Sequence, residues 1–246
     1  PVAFASQVHV VKSAGRELRF TVDYRQINEV TEADAFPLPR MDQLLQSFGG
    51  ATIFSTLDAC KGFWQVRMGE GRELTAFRVN GKVYVWKVMP MGLKNAPASF
   101  QRFMESVLGD MPFVKVYIDD IIIASRSVDE HLIHIEKVLD RRSKNSVRLK
   151  TSKCHFLRSQ LKVLGYYISK DGITQDPEKL EAINNFAAPR NTKELKRFLG
   201  MLGFFRMFSP NMARILVPLY ELCKKGTKWR WRDEESTAFE EAKTEL

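Results

Sequence analysis

The 246-residue chain predicts an α+β protein, and three observations carry that prediction. Short runs rich in β-branched and aromatic residues recur from Val8 to Ser169, punctuated by Gly, Asn and Asp, which is the pattern of strands and turns. From Pro177 onward the apolar residues fall at helical spacing instead. Within the strand-rich part, Asp119 and Asp120 stand between the apolar runs Phe113–Val116 and Ile121–Ala124, which reads as a hairpin with two acids at its tip. Adjacent carboxylates oppose each other's ionisation, a cost that a bound divalent cation removes. Asp is also a common residue of solvated turns, so both readings of that tip stand on these residues alone.

Apolar residues make up 44% of the chain, enough for a real core, and the length allows one large domain or two to three lobes. A formal net charge of +9 points to a polyanionic partner, nucleic acid ahead of a membrane surface, or else to a merely basic protein. Cys60, Cys154 and Cys223 are far apart and odd in number, and no Cys or His spacing suits zinc. Neither a disulfide framework nor a zinc site is expected, and a reducing compartment is. No run of about 18 apolar residues occurs, so no membrane span is expected. Pro1–His9 lacks the basic start and apolar core of a signal peptide. With Pro1 in place of an initiator Met, the chain is expected to be excised from a longer one.

Taken in order, Val8–Val11 and Leu18–Tyr24 read as strands around the basic turn Lys12-Ser13-Ala14-Gly15-Arg16. Lys12, Arg16 and Arg19 either reach a phosphate or simply face solvent. Phe36-Pro37-Leu38-Pro39 is a stiff, extended connector. Met41, Leu44, Leu45 and Phe48 set a helix closed by Gly49-Gly50. Thr52–Asp58 is a strand ending in an acid; Asp58 joins Asp119 and Asp120 in a three-carboxylate cluster if the two strands are neighbours. Gln65–Met68, Leu74–Val79 and Lys82–Met89 read as strands, the last two joined by a turn at Asn80-Gly81, and Trp86 reads as core. After the loop Met89–Pro97, a helix from Pro97 to Leu108 presents Phe100, Phe103, Met104, Val107 and Leu108 on one face.

Asp129–Lys144 is a further helix, with Leu132, Ile135 and Leu139 inward and with His131 and His134 in structural roles. Leu149–Leu157 and Leu161–Ser169 read as strands, followed by a turn at Asp171-Gly172. Helices follow at Glu178–Phe186, at a stretch capped by Asn191 with Glu194 and striped by Leu195, Phe198, Leu199, Leu202 and Phe205, at Ile215–Cys223 and at Glu234–Leu246. There is no tandem repeat and no low-complexity segment.

Seven blocks then stand in register: VDYRQIN (Val22–Asn28), FPLPRMD (Phe36–Asp42), FSTLDACKGFWQV (Phe54–Val66), TAF (Thr75–Phe77), MPMGLKNAPASFQRFM (Met89–Met104), YIDDIIIAS (Tyr117–Ser125) and LGYYIS (Leu164–Ser169). Together they resemble the reverse transcriptase of a Gypsy-type (Metaviridae) LTR retrotransposon, a relative of the retroviral enzymes, from about Val8 to the C-terminus. The resemblance implies a right hand. Fingers would be 1–32 and 66–95; the palm, an antiparallel sheet with helices on one face, would be 33–65 and 96–170; the helical thumb with the start of a connection would be 171–246.

The same resemblance implies an RNA- and DNA-templated DNA polymerase that adds deoxynucleotides to a primer 3′-hydroxyl, using two Mg²⁺ ions with Mn²⁺ as a substitute. Asp58 and Asp119 match the acids that hold the metals, Asp120 matches a third, and the Ala59 carbonyl is a further ligand. Lys12 and Arg19 match the residues that grip the triphosphate. Phe63 matches the ring under the incoming sugar that leaves no room for a 2′-hydroxyl. Met91 stands where relatives carry Phe or Gln beneath the nucleotide, so its contact would be apolar. Lys153 matches a general acid for pyrophosphate. Leu164, Gly165 and Tyr166 match the primer grip, and Lys193, Lys196, Arg197 and Arg206 would meet backbone phosphates. The implied partners are an RNA or DNA template with primer, deoxynucleoside triphosphates, and the ribonuclease H, integrase and protease regions of a parent polyprotein, with no membrane. The implied location is the cytoplasm, within virus-like particles, with entry to the nucleus.

Two departures from the family pattern bear on this reading. Ser13-Ala14 replaces the run of lysines usual beside Lys12, and the family carries more fingers chain before Pro1. The sequence stops where a connection to ribonuclease H would begin, and it holds no second acidic cluster, no DTG or DSG motif and no zinc knuckle, so polymerase alone is expected. A domesticated or decayed copy, serving as a nucleic-acid-binding scaffold without polymerase activity, is the competing reading. The presence of all three acids favours the enzyme. A pure protein-interaction module explains neither the acids nor the charge.

Overall fold

The computed structural model describes residues 4–11, 19–206 and 208–246. Two compact units form, residues 1–161 and 162–246.

In the first unit, β1 (Val8–Val11) and β2 (Arg19–Val22) pair antiparallel, with Val8 opposite Val22. Helices α1 (Arg25–Val30) and α2 (Met41–Gln46) lead to β3 (Ile53–Asp58). The hairpin of β4 (Phe77–Val79) and β5 (Lys82–Tyr84) turns at Asn80 and Gly81, whose φ values of 48° and 76° make the left-handed pair that the dipeptide favours. Helix α3 (Ala96–Leu108) precedes β6 (Val114–Tyr117) and β7 (Asp120–Ser125); α4 (Val128–Lys144) and β8 (His155–Arg158) follow. One sheet in the order β6-β7-β3-β8 results, antiparallel throughout. Its core joins Phe100, Met104 and Leu108 of α3 and Val138 of α4 to Leu57, Val114, Val116, Ile121 and Ile123 of the strands.

Several expected strands are shorter than the β-propensity of their residues suggests. Gln65–Met68 contributes only the end of a 3-10 turn (Gly62–Gln65) and a single bridge from Arg67 to Val88. Leu74–Val79 opens with a second 3-10 turn, Arg72–Thr75, and Lys82–Met89 leaves the ladder after Tyr84. Leu149–Leu157 holds a 3-10 turn, Thr151–Lys153, before β8. The aromatics that read as strand formers pack on one another instead. Trp86 lies 5.5 Å from Phe77 and 5.6 Å from Trp64, ring centre to ring centre.

Helix α4 corrects a second expectation. Leu132 is 51% exposed, while His131 and Val138 are fully buried. His131 takes the inward position because both ring nitrogens find hydroxyls on the sheet: Nε2 lies 2.7 Å from Ser55 Oγ and Nδ1 lies 2.7 Å from Ser125 Oγ. His134 Nδ1 lies 2.7 Å from the same Ser125 Oγ.

A three-stranded sheet follows, β11 (Gly172–Gln175) beside β10 (Tyr166–Ser169) beside β9 (Gln160–Val163), with β10 and β11 in the second unit. Helix α5 (Pro177–Asn184) is capped by Asp176, whose carboxylate accepts from Glu178 N at 3.2 Å. Asn191 caps α6 (Thr192–Leu202) in the same way through Glu194 N at 2.9 Å. The expected helix Ile215–Cys223 is two short ones, α7 (Met212–Ile215) and α8 (Val217–Glu221), with Pro218 in the first turn of the latter. With α9 (Asp233–Thr244) they close a core of Ile183, Leu195, Phe198, Leu202, Leu219 and Phe239. Among the described residues no helix is long and apolar enough to cross a membrane.

Candidate active site

β3 ends at Asp58, and the residue directly opposite it is Asp120, the first of β7. Asp119 sits in the two-residue turn Ile118-Asp119, because Tyr117 pairs with Asp120. The strands that the sequence left as possible neighbours are neighbours, and three carboxylates gather at one end of the sheet. Ile118 has φ 53°, a left-handed conformation that costs a β-branched residue about 1–2 kcal/mol. The fully buried Gln101 of α3 holds it there. Gln101 Oε1 accepts from Ile118 N at 2.7 Å, and its Nε2 donates to Val116 O at 2.9 Å. Ala59 N donates to Asp119 O at 3.1 Å, tying the turn to the end of β3.

Burial first, and the neighbouring Asp58 charge second, push the Asp119 and Asp120 carboxyls above the usual carboxylate range. Asp119 Oδ1 is buried without a hydrogen-bond partner. It rests against Gly62, where a Cβ would collide with the carboxylate. Lys153 Nζ pairs with Asp58 Oδ2 at 2.9 Å, and this hydrogen-bonded carboxylate holds the ammonium above its ordinary pKa. Hard oxygen donors, an unpartnered buried carboxylate oxygen and mutual repulsion suit a divalent cation. Among the described residues no three acidic, histidine or cysteine side chains already stand as a ligand set, and Asp58 Oδ2 is turned to Lys153. The Ala59 carbonyl accepts from Gly62 N at 3.2 Å and keeps a second lone pair.

Gln65, which the sequence reading passed over, fastens the segment bearing Lys153 to the loop after Asp58. Its Nε2 donates to Cys60 O at 2.8 Å and Arg148 O at 2.9 Å, and its Oε1 accepts from Arg148 N at 2.7 Å. The only signal in the sequence was a lone polar residue closing an aromatic run, Phe63-Trp64-Gln65.

Phe63 lies in the 3-10 turn beyond Asp58, edge-on to Phe100 at 5.6 Å. Met91 is 54% exposed. The loop around it is held by another residue that sequence reading missed, Asn28. Its Nδ2 donates to Gly92 O and its Oδ1 accepts from Lys94 N, both at 2.8 Å, while Lys94 Nζ reaches Thr31 O at 2.7 Å. Lys12 lies outside the described residues, and Arg19 stands in β2 opposite Val11.

In the second unit, Leu164 and Gly165, with φ values of 51° and 84°, make the turn before Tyr166, which is buried at the start of β10. Lys193, Lys196 and Arg197 are exposed along α6, and Arg206 is exposed just past it.

Residues 11–168 match the family described as reverse transcriptase (RNA-dependent DNA polymerase). Over 219 residues the chain is 40% identical to the retrovirus-related Pol polyprotein from transposon 297 of Drosophila melanogaster, covering 88% of this chain and 21% of that protein. It is 37% identical over 229 residues to the transposon Tf2-3 polyprotein of Schizosaccharomyces pombe, covering 92% of this chain and 17% of the relative. The chain thus spans about a fifth of the length of these relatives. Among solved structures, the foamy viral protease-reverse transcriptase dRH in complex with double-stranded DNA superposes with a TM-score of 0.90 at 29% identity, over 99% of this chain and 44% of that one. The foamy viral protease-reverse transcriptase in complex with an RNA/DNA hybrid gives 0.84 at 28% identity, over 98% and 33%. These relatives agree with the resemblance to a retrotransposon reverse transcriptase, and the expected α+β fold is that of a retroviral polymerase domain. The chain belongs to the reverse transcriptase (RNA-dependent DNA polymerase) family.

Proposed function

We propose that this chain is the polymerase part of a retrotransposon polyprotein. It would extend a primer 3′-hydroxyl with deoxynucleotides on an RNA or DNA template, releasing pyrophosphate. The observation that carries this reading is the opposition of Asp58 and Asp120 across β3 and β7, with Asp119 in the held turn between β6 and β7.

Asp58, Asp119 and Asp120 would hold two divalent cations, Mg²⁺ or Mn²⁺ in its place, with the Ala59 carbonyl as a further donor. Such ions activate the attacking hydroxyl and neutralise the leaving phosphates. Around them the chain's own groups would position the substrate. The Phe63 ring, stiffened by Phe100, would lie under the sugar and exclude a 2′-hydroxyl. Met91 would pack on the nucleotide from the loop that Asn28 holds. Lys12 and Arg19 would grip the triphosphate, and Lys153 would protonate the departing pyrophosphate. Leu164, Gly165 and Tyr166 would hold the primer end, and Lys193, Lys196, Arg197 and Arg206 would meet backbone phosphates without reading sequence. In this reading residues 1–32 and 66–95 are fingers, 33–65 and 96–170 palm, and 171–246 thumb with the start of a connection. Ribonuclease H, integrase and protease would be supplied by the rest of the polyprotein, and the site of action would be virus-like particles in the cytoplasm.

Extension of a DNA primer on an RNA template, with Mg²⁺ and deoxynucleotides, tests the proposal beside an Asp119→Asn control. The parent is expected to extend and the control to bind primer–template without extending it. Binding without extension by both would favour either the decayed scaffold or a fragment that lacks essential fingers, and the same assay on a chain extended at both ends tells these two apart.

A further inference from the structure

The ion pair between Lys153 and Asp58 occupies a carboxylate that the metal reading needs. Lys153 Nζ lies 2.9 Å from Asp58 Oδ2; the Asp58 side chain is 20% exposed and that of Lys153 57%. The pair is built in by the backbone. Lys150 N donates to Asp58 O at 2.9 Å, and the 3-10 turn Thr151–Lys153 follows at once. Gln65 anchors Arg148, two residues upstream of Lys150, to the loop after Asp58. The lysine therefore starts from a point fixed relative to its partner. Its charge also reaches the other two acids, on which it acts against the burial that raises them. An ammonium on a half-exposed stem forms a weak, exchangeable pair, whereas a dication among three carboxylates gains far more.

We propose that Lys153 is the resident counter-ion of Asp58 in the metal-free protein, and that a divalent cation must displace it, so that Lys153 sets the cation concentration at which the site fills. The inference rests on the metal reading of Asp58, Asp119 and Asp120. It carries a sign that structural damage would not imitate. Removing Lys153 frees Asp58 Oδ2 and makes the site one charge more negative, so cation affinity rises; a substitution that only loosens the site lowers it.

The test is a Mn²⁺ titration of the full chain, followed by electron paramagnetic resonance of the free ion, without nucleotide or primer. Lys153→Met is expected to tighten Mn²⁺ binding about threefold or more, Lys153→Gln to do the same, and Lys153→Arg to stay near the parent. Asp119→Asn is expected to weaken binding, which identifies the titrated site. Unchanged or weaker binding by both neutral variants, with Asp119→Asn still weakening it, overturns the counter-ion role and leaves the metal reading standing. Equal binding by the parent and Asp119→Asn removes the metal reading, and this inference with it.

Discussion

Gln101 Oε1 accepts the Ile118 N–H at 2.7 Å, and through that bond a fully buried helix residue fixes the turn that carries Asp119. Truncating it leaves Ile118 N and Val116 O without their partner beside a strained residue. Gln101→Ala is expected to cost about 2–3 kcal/mol and to abolish extension, as read by urea unfolding and a primer assay. A variant as stable as the parent would mean that the turn is held by something else.

Asp119 and Asp120 have folded pKa values raised above their unfolded ones. A raised carboxyl contributes stability below its unfolded pKa, near 4, and loses it as pH climbs through the folded value. At neutral pH without metal the pair therefore destabilises the fold. Asp119→Asn should melt higher than the parent at pH 7, by about 3 °C for each ~1 kcal/mol relieved, with the gap closing below about pH 4. Equal melting points at pH 7 would contradict the repulsion.

His131 and His134 run the other way. Burial holds both below the ordinary histidine value, with Glu130 opposing the effect on each and Lys137 adding to it at His134. A lowered histidine leaves stability intact above its unfolded pKa, about 6.5, and loses it as pH falls through the folded one. The parent should lose stability from about pH 6.5 downward. His131→Asn, stripped of that titration, should start less stable and show a shallower fall over the same interval. Parallel pH curves for the two proteins would rule the ring out as the source.

Replacing Phe63 by Ala removes the ring proposed to lie beneath the sugar. Discrimination between deoxy- and ribonucleotides in single-nucleotide extension should drop by about tenfold or more. Unchanged discrimination would take Phe63 out of that role and leave it as packing for Phe100.

Asn28→Ala cuts both bonds that span the Gly92–Lys94 loop. The expected signature is a rise of about fivefold or more in the KM for deoxynucleotide, with kcat and primer–template affinity little changed. A fall in kcat alone would place the defect elsewhere.

The strands of the site were legible because their apolar runs are long and their acids sit at the ends. Spacing could not say that the strand ending in Asp58 pairs with the one beginning at Asp120, a relation between distant segments; only the seven blocks carried it. Nothing about isoleucine announces the left-handed backbone of Ile118, which tertiary bonds impose. On α4, counting apolar residues placed Leu132 inward, since two serine hydroxyls on other strands decide in favour of His131. From Gly62 to Met89, aromatic packing took over residues whose propensity reads as strand. Asn28 and Gln65 were missed because each bonds to backbone far along the chain, Gly92 and Arg148, and polar side chains give no periodic signal.

β3 is an inner strand, and both of its neighbours, β7 and β8, are made after it. Asp58 must wait for a partner 62 positions later (120 − 58) before the two can face each other. As the chain leaves the ribosome, the first acid emerges on a strand whose two native sheet partners are still to come. A product interrupted between the two aspartates would be inert and sticky at once, a template for stray strand pairing. Assembly of this site thus lags behind the making of its first strand, and it either completes or leaves a hazard.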